Sequence, residues 1–288
     1  MKGIKISGII FFLFLVLFFG FLVAKETGEA SKTPRKYLLY FVGDIMLSRG
    51  VNSRMEKFND YSWPFKKIGD FLSLADITFG NLEGPLSDKG ADTGKKYSFR
   101  ANPRAMEGLL RAGFDVLSIA NNHIHDWGNE AKEDTTRRLK KAGISPSGLG
   151  LVPIFYLGEA SVAFSSYTHP LPEEIILPAA DINIVSMHLG IEYQLTSSEE
   201  QKMFAHKAID AGADLVIGHH PHVREEQEIY QNKNIFYSLG NFVFDQSWSE
   251  ETMQGWIAKV VVQGKDIIFA EPIEIRINSD FQPEIVIF

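Results

Sequence analysis

Short apolar runs that stop at polar clusters recur along the chain, with helical spacing between many of them. Tyr37–Asp44 (YLLYFVGD) reads as a strand ending in an acid. Pro64–Leu74 reads as a helix with proline in its first turn. Leu74–Glu83 (LADITFGNLE) is a strand ending in Asn81 and Glu83. Pro103–Ala112 is a helix closed by Gly113. Phe114–Asp126 (FDVLSIANNHIHD) is a strand ending in Asn122, His123, His125 and Asp126. Gly128–Ala142 is a helix stopped by Gly143. In the second half, Asp181–His188 is a strand ending in histidine. Ser197 and Glu200 form an S-x-x-E capping box that opens a helix running to Gly212. Ala213–His222 (ADLVIGHHPH) is a strand ending in three histidines, and Trp256–Ile277 is a hairpin around Gly264-Lys265. Arg111–His123 (RAGFDVLSIANNH) and Asp210–His222 (DAGADLVIGHHPH) echo one another: helix end, Ala-Gly, Asp, apolar strand, histidine-rich loop.

Apolar strands alternating with helices imply buried, mostly parallel sheet in an α/β fold. Ligands then gather beyond the carboxyl ends of the strands. If the strands share one sheet edge, their polar ends converge.

One apolar run differs in kind. Ile6–Ala24 is 19 residues without a charge, after Lys2 and Lys5. That nearly spans a bilayer core of about 30 Å and exceeds the roughly 7–15 residues of a signal-peptide core. Residues 1–24 are therefore expected to be an uncleaved signal anchor, a single transmembrane helix touching membrane lipid, with the rest of the chain on the extracytoplasmic side. Residues 25–36 (KETGEASKTPRK) are polar and aperiodic, a linker. Residues 37–288 remain for one domain.

Composition narrows the chemistry. The 288 residues include no cysteine, so thiol catalysis, disulfides and thiolate-bound metals are excluded. A net charge of −7 disfavours a nucleic-acid partner. Six of the eight histidines lie in three strand-end loops, which points to a metal centre. Carboxylate, amide oxygen and imidazole suit Zn, Mn, Fe, Co or Ni. The candidates outnumber the ligands of one tetrahedral ion and fit two divalent ions about 3.5–4 Å apart.

The motifs GDIMLSRG (43–50), GNLEGPLS (80–87), NNHIHDWG (121–128), HLGIEY (188–193), GHHPHV (218–223) and YSLGNFVFDQ (237–246) occur in that order. Together they resemble the CapA family of capsule and poly-γ-glutamate synthesis proteins, a branch of the calcineurin-like metallophosphoesterases. The resemblance implies a four-layer α/β/β/α sandwich with a binuclear metal site. It implies metal ligands at Asp44, Glu83 (bridging), Asn122, His188, His220 and His222. It also implies a general acid at His123, oriented by Asp126. Arg49, Asn81, Arg100, Glu192, Tyr193, His219 and Asn241 are expected to face substrate or to support the ligands, with Tyr97 as a further substrate candidate.

One departure stands out. The superfamily's first motif is Asp-x-His, and here Met46 follows Asp44 and Ile45. Methionine is a poor ligand for hard ions, so one metal position is expected to be weaker or served by another group. The resemblance implies a membrane-anchored, extracytoplasmic protein of capsule or poly-γ-glutamate biosynthesis or export. Its partners would be capsule-synthesis membrane proteins and an anionic polymer or phosphoester substrate. Two functions are expected to compete: a metal-dependent phosphoester hydrolase or transferase, and a non-enzymatic polymer-binding or export subunit.

Overall fold

The computed structural model describes residues 34–286. The anchor expected at residues 1–24 and nearly all of the linker lie outside them. Among the described residues no helix is long and apolar enough to cross a membrane.

The chain from Lys36 onward forms one compact unit of mixed α/β structure. In order it comprises β1 (Lys36–Ile45), α1 (Arg49–Phe58), α2 (Gly69–Leu72), β2 (Ile77–Leu82), α3 (Met106–Arg111), β3 (Val116–Ser118), α4 (Gly128–Ala142), β4 (Ser145–Ser147), β5 (Ile154–Leu157), β6 (Ala160–Tyr167), β7 (Ile182–His188) and α5 (Glu199–Asp210). There follow β8 (Leu215–His219), β9 (Gln227–Tyr230), β10 (Lys233–Phe236), β11 (Asn241–Val243), β12 (Gln254–Gln263), β13 (Asp266–Ile277) and β14 (Pro283–Ile285).

These strands make two sheets. One runs β14-β13-β12-β1-β2-β3-β4, with β11 beside the end of β1; the other runs β5-β6-β7-β8-β10-β9. Strands β1 to β4 pair in parallel, as do β6, β7, β8 and β10. Side-chain alternation in β1 explains its continuous apolar run. Leu39 and Phe41 join Phe79, Phe164, Ile184 and Ile217 in the core between the sheets. Tyr40 and Val42 point the other way, into a core with Met55, Leu109 and Leu139 from the helices. On the far side of the second sheet, Val185 and Val216 pack against Phe204 and Ala208 of α5. Helices therefore cover the outer face of each sheet.

An aspartate clips the start of successive parallel strands. Asp76 Oδ2 accepts the Leu38 N–H at 2.8 Å, and the Asp76 N–H returns a bond to the Leu38 carbonyl. Asp115 does the same with Thr78, and Asp214 with Asn183. Asp181 takes the Ser161 N–H. The two echoing segments thus share this clip but belong to different sheets.

Several sequence expectations change. The condition of one shared sheet edge is not met: β1, β2 and β3 belong to one sheet and β7 and β8 to the other, in keeping with the two-sheet sandwich that the resemblance implied. The helix expected over Pro64–Leu74 is a 3-10 turn at Trp63–Phe65 and the short α2, because Pro64 opens the tighter turn and the backbone restarts at Gly69. Helix α1 was not expected: it buries only Val51 and Met55, too narrow a stripe to read. The capping box is Ser198 with Gln201 rather than Ser197 with Glu200. Ser197 is held elsewhere, its N–H and hydroxyl both bonded to Glu226. Gly143 caps α4 in the left-handed conformation, as expected.

Candidate metal centre

The carboxyl ends of β1, β2, β3, β7 and β8 meet where the two sheets face each other. Asp44, Glu83 and His222 are all buried, and one ligand atom from each lies within 4.8 Å of the others. Asp44 sits at the end of β1. Its Oδ1 accepts from Asn81 Nδ2 at 2.8 Å, and its Oδ2 accepts the His220 backbone N–H at 3.1 Å. His222 Nδ1 lies 3.4 Å from Asp44 Oδ2. Burial alone would raise the Asp44 carboxyl, but the imidazoles of His219 and His222 beside it hold it well below the usual carboxylate range.

Glu83 is in the opposite condition. It is 2 % exposed, and neither carboxylate oxygen has a hydrogen-bond partner among the described residues. His123 Nε2 and His222 Nε2 stand 3.6 and 3.8 Å from its Oε1, beyond bonding range. Burial pushes this carboxyl up to about 8; His222 opposes the shift and Asp44 adds to it. A bare buried carboxylate costs several kcal/mol unless an ion or a proton neutralises it. His222 responds the other way: burial opposes its charge, but Glu83 and Asp44 raise it to about 9. This donor set, two carboxyls and an imidazole with both Glu83 oxygens unpartnered among the described residues, fits a divalent cation.

Asn122 and His188 lie on the adjoining side, with Asn122 Oδ1 3.0 Å from His188 Nε2. His188 Nδ1 is 3.2 Å from Asn81 Nδ2, so Asn81 touches both Asp44 and His188. The His188 and His220 rings are 4.7 Å apart. Burial and the neighbouring His220 lower the His188 imidazole well below its usual value. Burial and His222 lower that of His220.

Two glycines explain why these motifs begin as they do. A Cβ on Gly43 would stand 1.9 Å from the Gly240 carbonyl oxygen, and one on Gly218 would stand 1.8 Å from that of Tyr237. Neighbouring backbone passes directly beside the residue before Asp44 and the one before His219. Past β8 the chain is strained. His220 and His222 have φ of 100° and 60°, left-handed values that cost about 1–3 kcal/mol each. The His220 N–H bond to Asp44, the Tyr193 N–H bond to the Pro221 carbonyl and the contact of His222 Nδ1 with Asn241 Oδ1 hold them there.

His123 has its own support. Its Nδ1 is 2.6 Å from Asp126 Oδ2, and its ring stacks on Phe99 at 4.0 Å. Asp126 also accepts the Phe99 N–H and pairs with Lys95 at 2.8 Å. Burial raises the Asp126 carboxyl, but these bonds outweigh it and lower it.

A cavity of about 300 Å³ opens over the centre, lined by Arg49, Tyr97, His123, Glu192, Tyr193 and Trp248 among others. Arg49 is paired with Asp245, and its guanidinium lies 4.9 Å from the Phe99 ring centre. Asn241 braces the loop through Gln246 and Thr252 as well as His222.

Not every expected residue arrives. Arg100 lies over the Trp127 ring, 3.5 Å from its centre, and is not among the cavity-lining residues. His219 is wholly buried beneath the ligand cluster, its Nδ1 3.4 Å from Asp44 Oδ1. Met46 turns its sulfur to the N–H and hydroxyl of Ser48 and packs in the outer core. Lys95 and Trp248 were missed because nothing in their local pattern sets them apart, and Gln246 closes the motif at 237–246 without being singled out. Asn121 was missed too, although the doubled Asn121-Asn122 was a usable signal. Its amide donates to the Asn81 side chain and the Leu82 carbonyl.

The family described as bacterial capsule synthesis protein PGA_cap matches residues 38–175 and 173–246. The capsule biosynthesis protein CapA of Bacillus anthracis is 30% identical over 252 residues, covering 74% of this chain and 61% of that one. The PGA biosynthesis protein CapA of Bacillus subtilis (strain 168) is 34% identical over 244 residues, covering 73% and 63%. This chain thus spans less than two thirds of the length of those relatives. Among solved structures, a hypothetical protein from Thermus thermophilus superposes with TM-score 0.53 at 18% identity, covering 82% of this chain and 98% of that one. A phosphatase from Mycoplasma pneumoniae gives 0.51 at 15%, covering 84% and 94%. Those two likenesses concern the fold alone.

Proposed function

The chain belongs to the bacterial capsule synthesis protein family PGA_cap, and from that premise we propose that it is a metal-dependent phosphoester hydrolase or transferase of the cell envelope, serving capsule or poly-γ-glutamate biosynthesis. One observation carries the chemical part of this reading: Glu83, buried with both oxygens bare, between Asp44 and His222.

Asp44, Glu83 and His222 would hold one cation; Glu83, Asn122, His188 and His220 would hold a second. Mn, Fe, Zn and Co all suit these donors. Divalent cations held there would make water acidic enough to supply hydroxide near neutral pH and would neutralise the oxygens of a phosphoryl centre. The protein's own groups do the rest. Asp126 fixes His123 through Nδ1, which leaves Nε2 free to protonate a leaving oxygen. Phe99 stacks against that imidazole and shields it from solvent. Tyr97, Tyr193 and Trp248 bound the cavity in which the substrate would lie.

His123→Ala is expected to lower turnover of a phosphoester by about 10²–10⁴-fold while metal content stays at the wild-type level. Unchanged turnover would remove His123 from the reaction.

The second reading, a non-enzymatic polymer-binding or export subunit, is favoured by Met46, which sends no donor toward the ligand cluster. It predicts anionic-polymer binding without metal-dependent turnover. For location, the reading adds a single N-terminal membrane anchor with the domain outside the cytoplasm. Full-length protein should stay with the membrane in alkaline carbonate, and a soluble, N-terminally trimmed product would contradict the anchor.

A further inference from the structure

Asp44 is the residue through which β1 reaches the metal centre, and its carboxylate must be aimed. Oδ2 faces His222; Oδ1 points back between the sheets. Asn81 Nδ2 holds Oδ1 at 2.8 Å, but that same amide also contacts His188 Nδ1 at 3.2 Å. Met46 contributes nothing, its sulfur being engaged by Ser48.

His219 stands behind Oδ1. Its side chain is fully buried, in a region where Phe79 is the aromatic neighbour at 6.2 Å between ring centres. A histidine carries an N–H on at least one ring nitrogen in either tautomer, and burying it without an acceptor costs about 1–3 kcal/mol. Neither ring nitrogen makes a hydrogen bond of good geometry among the described residues. Asp44 Oδ1, at 3.4 Å from Nδ1, is the acceptor within reach. A carboxylate only accepts, so the tautomer protonated at Nδ1 is the one that matches. The residue is also fixed in register. Gly218 before it abuts the Tyr237 carbonyl, and its own carbonyl takes the Leu189 N–H at 3.1 Å.

We infer that His219 is a positioning residue for the metal centre: its Nδ1–H holds Asp44 by Oδ1 so that Oδ2 is presented to the cation. This rests on the metal reading above. It assigns His219 to the aim of a ligand, outside the ligand set itself.

The test uses the full chain, purified in detergent, titrated with Mn²⁺ alone by calorimetry. Three variants separate the roles. His219→Asn keeps an N–H donor close to the Nδ1 position. His219→Gln moves its donor toward the Nε2 position, and His219→Phe fills the space with no donor. The expected result is Mn²⁺ affinity weakened roughly 10–100-fold in the Gln and Phe variants, with the Asn variant within about threefold of wild type. If the Phe variant binds Mn²⁺ as wild type does, His219 is core packing and the inference is wrong. If the Asn variant binds as poorly as the Gln variant, the donor at Nδ1 is not what matters and the inference is equally wrong. Should the Phe variant fail to fold by circular dichroism, the Asn–Gln pair decides alone. Wild-type protein that binds no Mn²⁺, Zn²⁺, Fe²⁺ or Co²⁺ would overturn the metal reading and this inference together, a result distinct from either failure above.

Discussion

Glu225 shows at a single residue what burial does to a carboxyl away from the ligand cluster. It is 2 % exposed; Gln201 donates to Oε2 at 2.5 Å, and Oε1 has no partner among the described residues. Burial raises this group to about 7, with Gln201 opposing and Glu226 adding to the shift. The native state therefore keeps a proton that the unfolded chain, at about 4.3, releases first. Stability conferred by this residue is present below about 4.3 and falls as pH rises to about 7. Glu225→Gln removes the titration. Its unfolding free energy should match wild type near pH 4 and exceed it near pH 8 by more than about 1 kcal/mol. Parallel shifts at both pH values would contradict this. At this scale the sequence was most informative where a polar residue directly follows an apolar strand. Asp44, Glu83, Asn122, His188 and His222 could be read because strand ends are visible in the apolar pattern. Lys95 and Trp248 reach the centre through loops without period, and only the closed fold brings them there.

Strands β2, β3, β7 and β8 owe their alignment to the aspartate immediately before each. Asp115→Ala should cost about 1–2 kcal/mol, through loss of the bond to the Thr78 N–H. Asp115→Asn, which keeps an acceptor, should recover most of it. Denaturant melts of the two variants check this, and equal losses would show that charge rather than the bond matters. The close approach of β1 and β11 gives a second outcome. Gly43→Ala places a Cβ 1.9 Å from the Gly240 oxygen, so the strands must part. Asn241, which pairs with Asp44 across that contact and bonds to His222, moves with β11. Overpacking of this kind costs about 1–3 kcal/mol, and metal affinity should fall along with stability. Wild-type metal binding in that variant would contradict the claim that β11 braces the site. The long, glycine-capped α4 was legible end to end. Helix α1 was not, because two buried residues make too weak a periodic signal. The capping box shifted by one residue because Glu226, distant in sequence, occupies Ser197.

Across the whole molecule, the two echoing strands β3 and β8 lie in opposite sheets, and the centre forms where their ends face each other. The pattern of apolar runs foretold buried parallel strands and polar ends that meet. It could not assign strands to sheets, because a strand covered on both faces looks the same in either one. The formal charge of −7 is likewise incomplete as a description of the site, where a buried carboxyl has no hydrogen-bond partner among the described residues and two histidines hold left-handed backbone. The central claim is that this centre binds divalent metal and uses it on phosphoesters. Its most direct test is phosphate release from a chromogenic phosphoester by the chelator-treated protein before and after titration with Mn²⁺ or Zn²⁺. No release is expected without metal, with turnover restored on re-addition and lowered by several orders of magnitude in His220→Ala and His222→Ala. Metal-saturated wild-type protein that releases no phosphate from any ester tested, or turnover that persists in those variants, would contradict it.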